Sequence, residues 1–294
     1  MRDFIRFLLL RWLIFAVQTL PQRYTYWIAL RVGDLNYFLL DPKGREAVLS
    51  NLRRVLSDAK EDRIEYEARW IFRNFAKYLT EFFRFRQFDE AYFQRSVMIK
   101  GKEILEKAMK EGKGCILLSS HLSNWEFGAA ATSKLLGYKV NVVAASHRFG
   151  RIDRLFVRER ESAGINVIQV EHAAREVLRA LKRNEVVCIL GDRDATDSGV
   201  QVDFFDKTCA FPKGPARFAL KAGCPLIPGF VLRRTNDSFT IVFEQAIQVP
   251  SDGERDEKVR LMTQAFARFT EEAIRWHPEE WGVFYDVWGE KWSR

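Results

Sequence analysis

One histidine and two acidic residues stand where this chain can do proton chemistry. The run from Cys115 to Ala131, CILLSSHLSNWEFGAAA, opens with an apolar segment that reads as a buried strand ended by Ser119 and Ser120. His121 follows at once. Ser123 or Asn124 can then cap a helix whose first turn holds Glu126 and whose body runs from Phe127 to Leu136. Helix-start N–H groups favour a negative charge near Glu126 and suit an anion. Residues five apart in one helix lie about 140° apart, since each advances roughly 100°. His121 is therefore expected in the turn, its ring folded back over the first helical turn toward Glu126. A carboxylate there fixes the imidazole tautomer and supports its protonated form, leaving the other nitrogen as a base. Taken alone, the pair also fits a polar turn in which His121 only bonds backbone.

A second ionisable group follows a second apolar run. Residues 186–190 read as a strand and lead into GDRDATDSGVQVDFF, which places Asp192, Arg193 and Asp194 directly beyond it. Asp192 is then a second carboxylate for His121, each at the end of a neighbouring strand. An Asp-rich turn bonding its own backbone is the alternative. Between the two lies HRFGRIDRLFVRERESAG, with Arg148, Arg151, Arg154, Arg158 and Arg160. These form either a solvated helix face or cations for a phosphate-bearing substrate. Further on, Lys213 and Gly214 open a helix whose free amides suit an anion.

The segment Gly101–Gly128 resembles the lysophospholipid acyltransferase superfamily, in its lipid A late (lauroyl/myristoyl) acyltransferase and phosphatidylinositol-mannoside acyltransferase branch. The family's H-x-x-x-x-D/E, commonly H-x-x-N-W-D/E, is His121 through Glu126 with Asn124 and Trp125 between. The resemblance continues in the Asp192–Asp194 segment, the Val200–Phe205 run, Arg160 with Gly164, and residues 209–230. It covers most of the chain and is most specific over 98–230. Glycerol-phosphate relatives carry F-P-E-G where this chain has Lys213, and that departure points away from their branch. The ending HPEEWGVFYDVW resembles the mannoside and broader bacterial branches.

What the resemblance implies is an O-acyltransferase that moves a fatty acyl group to a hydroxyl of a glycolipid or lipid A-like acceptor. The donor would be a thioester of acyl carrier protein or coenzyme A, with no metal and no further cofactor. His121 would be the general base, with Glu126 and Asp192 as its catalytic carboxylates. Asn124, Arg160, Arg193, Asp194, Lys213 and Gly214 would contact substrate. The implied location is the cytoplasmic face of a bacterial inner (plasma) membrane.

The elements that must position these residues are an α/β fold with a central, mostly parallel mixed sheet flanked by helices. From residue 101 onward helices and strands alternate: helix 101–111, strand 114–119, helix 124–136, strand 138–145, helix 151–163, strand 165–170, helix 172–183 and strand 186–190. Short strands near 201–205, helix 214–222, strands 225–232 and 238–245, and helix 255–275 follow. Ligands of such sheets bind at the carboxyl ends of strands, where His121 and Asp192 fall. Before this come helices over 4–20, 22–40, 44–56 and 65–85. The expected division is a helical arm over 1–95, with an anchor at about 1–20, and an acyltransferase domain over 96–294.

Residues 4–20 are the most apolar stretch. Helical, they span about 25 Å, short of a ~30 Å hydrocarbon core. Arg11 would sit near the middle at a cost of about 2.5–3.5 kcal/mol. The expectation is an uncleaved anchor, lying in the interface or shallowly inserted, with a buried first helix as the alternative. At 294 residues, with 47% hydrophobic and 29% charged, the chain is globular rather than disordered. Its net charge of +8 favours anionic partners such as lipid headgroups or an acidic carrier protein. Nucleic acid is not expected, since no recognition motif accompanies the charge. The four cysteines lack C-x-x-C spacing and read as packed free thiols, not a zinc site. Two rival functions are a metal-dependent hydrolase built on His121, Glu126, Asp192 and Asp194, and a non-catalytic basic membrane adaptor.

Overall fold

The computed structural model describes residues 2–146, 150–194 and 198–289. Arg148 lies outside the described residues. The chain opens with helices α1 (Arg2–Thr19), α2 (Gln22–Leu35), α3 (Pro42–Val55), α4 (Glu61–Phe82) and α5 (Glu90–Ser96). Helix α2 runs into a π-helical turn, Asn36–Leu40. The alternating region is β1 (Val97–Lys100), α6 (Lys102–Lys110), β2 (Cys115–Ser119), α7 (Trp125–Leu136), β3 (Val140–Ala144), α8 (Gly150–Ser162), β4 (Ile165–Gln169), α9 (Ala173–Lys182) and β5 (Val186–Leu190). It is followed by β6 (Val200–Phe204), β7 (Lys207–Phe211), α10 (Gly214–Ala222), β8 (Leu226–Arg233), β9 (Phe239–Phe243) and α11 (Arg255–Trp276).

Seven strands form one sheet in the order β1-β9-β8-β2-β5-β3-β4, and β6 and β7 form a separate hairpin. All pairings in the large sheet are parallel except β8 with β9. The central strands are apolar throughout because both faces are covered, so their sequences read as continuous runs rather than alternations. One face packs Cys115, Leu117 and Val142 against α6 and α7, together with Phe82 and Phe93. The other packs Ile116, Leu118 and Val187 against α9, α10 and α11. Each buried Phe or Leu contributes about 1.5–3 kcal/mol on removal from water, so these two faces hold the layers together.

The expected α/β class, with a mostly parallel mixed sheet flanked by helices, is the class observed. Several elements differ at their margins. Helix α4 begins at Glu61 rather than 65, because its first turn is polar and shows no apolar period. Strand β1 and helix α5 lie outside the expected elements, since β1 has four residues and α5 seven, too short to show a period; of the short strands expected near 201–205, the second, β7, begins only at Lys207.

Helices α2 and α4 approach closely at Gly33, where a Cβ would lie 2.7 Å from the Arg73 Cα. One residue on, Asp34 accepts paired hydrogen bonds from Arg69 (2.7 and 2.8 Å) and Arg73 (2.7 and 3.0 Å). The bond from Arg69, with support from Arg73, holds the Asp34 carboxyl well below its ordinary range.

Among the described residues, no helix is long and apolar enough to cross a membrane. The later turns of α1 are built into the core: Ile14 and Val17 are buried, and Arg84 donates to the carbonyls of Val17 and Leu20, each at 2.7 Å.

Candidate active site

The site starts from the pairing of β2 with β5. Their register sets Ser119 opposite Leu190, so the residues that follow each strand emerge side by side. The Gly191 N–H donates to the Ser119 carbonyl at 2.8 Å and keeps the two exits together. A Cβ on Gly191 would lie 2.7 Å from both Leu118 Cδ1 and Phe266 Cε1, so only glycine fits there without a shift. Asp192 then faces His121.

Asp192 Oδ1 lies 2.7 Å from His121 Nδ1, and Oδ2 accepts the His121 backbone N–H at 2.9 Å. The Trp281 indole N–H approaches Oδ2 at 3.4 Å. The Asp192 side chain is fully buried while that of His121 is 22% exposed. Burial by itself would raise the Asp192 carboxyl. The His121 charge and its two hydrogen bonds together outweigh burial and hold the carboxyl below its ordinary value. An ionised carboxylate only accepts, so Nδ1 carries a proton, and in the neutral ring Nε2 is then the nitrogen with the lone pair. Trp125 packs edge-on against the imidazole with centroids 5.1 Å apart.

Glu126 does not serve the imidazole. Its carboxylate takes three contacts from Arg160 of α8: Nε at 3.0 Å to each oxygen and Nη2 at 2.6 Å. From the first turn of α7 its side chain reaches α8 rather than the turn that carries His121. The expected His121–Glu126 contact is thus replaced by a buried ion pair. Both side chains are at most 10% exposed. Burial works against the Arg160 charge, yet Glu126 more than offsets it and raises the guanidinium above its usual range.

Asn124 is placed as a cap rather than a substrate contact. It is fully buried; Oδ1 accepts the Phe127 N–H at 2.9 Å and Nδ2 donates to Glu81 Oε2 at 2.6 Å. Sequence reasoning missed Glu81, whose place in an amphipathic helix gave no sign of burial. His121, Glu126, Arg160, Arg193, Asp194 and Gly214 all line one cavity of about 800 Å³. Arg193 lies over the Tyr285 ring at 5.0 Å, and Asp194 accepts the Gly199 N–H at 2.6 Å. Lys213 is the cap residue of α10, one position before Gly214.

Away from these groups the cavity wall is apolar, formed by Leu117, Val142, Val231, Ile241 and Phe243 of the sheet and by Gly128 and Ala129 of α7. Cys188 also lines it, but burial pushes its thiol up to about 12, so it stays protonated and a poor nucleophile. All four cysteines are free. Among the described residues no three His, Cys, Asp or Glu side chains gather as a metal ligand set. Of the four residues of the metal-hydrolase reading, Glu126 is held by Arg160 and Asp194 accepts from Gly199, while His121 and Asp192 bond to each other.

An α/β sheet thus carries, at its strand ends, a carboxylate-held histidine that lines a largely apolar cavity. Residues 2–289 match the family described as bacterial lipid A biosynthesis acyltransferase. The chain belongs to that family and is an acyltransferase. It is 28% identical over 249 residues to a phosphatidylinositol mannoside acyltransferase of Mycolicibacterium smegmatis, covering 83% of this chain and 80% of the relative. It is also 28% identical over 221 residues to the phosphatidylinositol mannoside acyltransferase of Mycobacterium tuberculosis, covering 73% and 68%.

The two carboxylates should separate cleanly on substitution. Glu126→Gln leaves Arg160 buried without its counter-charge and should cost about 3–5 kcal/mol of stability. Asp192→Asn should instead lower kcat while the donor KM stays near wild type, because imidazolium support is felt in the transition state. Chemical denaturation and steady-state kinetics on both variants check this. A stable Glu126→Gln protein with kcat abolished would return Glu126 to the catalytic pair.

Proposed function

We propose that the protein transfers a fatty acyl group from an acyl thioester to a hydroxyl of a glycolipid, with His121 as general base. The observation that carries this reading is His121 at the wall of the apolar cavity, its ring held by the buried Asp192. A cavity of about 800 Å³ falls within the size range of ligand sites, and its lining suits an alkyl chain. Nε2 takes the proton of the acceptor hydroxyl as its oxygen attacks the thioester carbonyl. The oxyanion of the tetrahedral intermediate collapses, the C–S bond breaks, and the leaving thiolate takes the proton back from Nε2. Asp192 carries the compensating charge while the imidazolium exists. Arg193, which lines the cavity, is the cation nearest in sequence to this pair and is proposed to contact the donor's phosphate or the developing oxyanion. Lys213 and the amides that open α10 at Gly214 are proposed for the same phosphate.

The acceptor class follows the relatives, which act on phosphatidylinositol mannosides, and a glycolipid of that polarity is proposed here. Acyl carrier protein and coenzyme A both present a phosphopantetheine thioester, and either fits the basic chain. Work at a membrane surface, on the cytoplasmic face of a bacterial inner membrane, is proposed from the N-terminal helices. Trp12 (70% exposed), Trp27 (59%) and Leu39 (71%) stand in solvent there, joined by Leu13, Phe15, Phe38 and Leu40. These exposed apolar side chains on α1, α2 and the π-helical turn, interleaved with arginines, suit an interfacial position.

Two outcomes are expected. His121→Ala should lower turnover about 10²–10⁴-fold in an assay with acyl-coenzyme A and a mannosylated phosphatidylinositol. Its circular dichroism should stay native, and near-normal turnover by the folded variant would remove His121 from the mechanism. Replacing Trp27, Phe38 and Leu39 together by serine should release the protein from phosphatidylglycerol vesicles in a flotation assay without lowering its melting temperature. Undiminished flotation would place membrane attachment elsewhere.

A further inference from the structure

The His121 turn is held from two directions by a buried charge cluster that touches no reacting group. Arg233 ends β8 with its side chain 5% exposed. Its two terminal nitrogens grip both oxygens of Glu81, at 2.6 and 2.9 Å, and the Glu81 side chain is 1% exposed. Glu81 also accepts the Tyr26 hydroxyl at 2.5 Å and the Asn124 amide at 2.6 Å. The other Asn124 end caps α7 through the Phe127 N–H.

A second branch leaves the same guanidinium. Arg233 Nε lies 3.8 Å from Glu280 Oε1, which also accepts Asn74 Nδ2 at 2.8 Å. The Glu280 carbonyl accepts the Ser123 N–H at 2.8 Å, and the Gly282 N–H donates to the His121 carbonyl at 2.8 Å. Leu122 and Trp281 thereby form an antiparallel bridge. The C-terminal segment is thus a short strap on the catalytic turn.

That turn needs holding. Ser123 sits at φ 55°, in the left-handed region, where a side chain costs about 1–3 kcal/mol and persists only if its surroundings enforce it. Arg233 also lies two residues beyond Val231, which lines the cavity. The cluster therefore ties the base to the wall against which the acyl chain would rest.

We infer that Arg233 is a positioning residue for His121, acting through Glu81 on Asn124 and through Glu280 on Ser123 to fix the base relative to the acyl cavity. The inference rests on the general-base reading of His121. A misplacement of about 1 Å at a reacting group can cost on the order of 10²-fold in rate. A residue that merely stabilises the fold would not change kcat in molecules that remain folded.

The test uses the full chain, acyl-coenzyme A and a mannosylated phosphatidylinositol. Arg233→Lys keeps a buried cation but gives up the two-pronged grip on Glu81. Asn124→Ser keeps a good helix cap while cutting the link to Glu81. In protein shown to be folded by circular dichroism, each should lower kcat about 10–100-fold with the donor and acceptor KM unchanged. The pH midpoint of kcat should stay at the wild-type value, because the Asp192 contact is untouched. Wild-type kcat in both folded variants overturns the inference, and so does a raised KM with kcat intact, which would mean a substrate contact. If Arg233→Lys does not fold, Asn124→Ser decides alone. His121→Ala, run in parallel, separates the two claims. An active His121→Ala protein defeats the base reading, whereas an inactive one beside fully active Arg233→Lys and Asn124→Ser defeats only the positioning role.

Discussion

The hydrogen bond between His121 and Asp192 depends on two parallel strands that end in register. Strands β2 and β5 pair residue for residue from Cys115 with Val186 to Ser119 with Leu190. Neither strand supplies chemistry itself; their apolar side chains bury both faces of the sheet. What they supply is a shared end point, from which a histidine and a carboxylate emerge within bonding distance without a long loop. Asp192 binds both the ring and the backbone N–H of His121, so the imidazole and the turn beneath it move as one unit. In a fully buried position that carboxylate persists as an anion only because its partner is there.

Around this pair the protein neutralises buried charge locally. Glu126 is matched by Arg160, and Glu81 by Arg233. Burial pushes the Glu280 carboxyl up to about 7, and the Arg233 charge opposes the rise. The arrangement leaves His121 partly exposed beside the apolar cavity, with Glu126, Arg160, Glu81 and Arg233 already paired. In the proposed mechanism, proton transfer at Nε2 takes place among ions already held in pairs, the condition under which preorganised groups lower a barrier.

Much of this was legible in the sequence, for identifiable reasons. Continuous apolar runs at Cys115–Leu118 and 186–190 mark doubly covered strands, and in an α/β sheet such strands lie centrally with their carboxyl ends at the ligand. That logic places His121 and Asp192 together. It fails for Glu126, because its partner Arg160 lies 34 positions away on a helix with several other arginines. Nothing local distinguishes the one that folds inward. Asn124 shows the same limit: its cap role follows from its position, but the partner of its other end is a glutamate on α4. Glu81 and Arg233 look like solvated charges in one dimension and are core residues in three. Short elements such as β1 and α5 carried too few residues to show a period.

The most direct test of this account is the tautomer of His121, read by nitrogen-15 NMR of the imidazole across neutral pH in the full-length protein. With Asp192 ionised and accepting from Nδ1, the neutral ring should carry its proton on Nδ1, and Nε2 should be the nitrogen that gains and loses a proton. Substituting Asp192 by Asn should disturb that preference. A neutral ring protonated at Nε2 in the wild-type protein, with Nδ1 bare, would contradict the account, because the nitrogen facing the cavity would then have no lone pair to offer a hydroxyl.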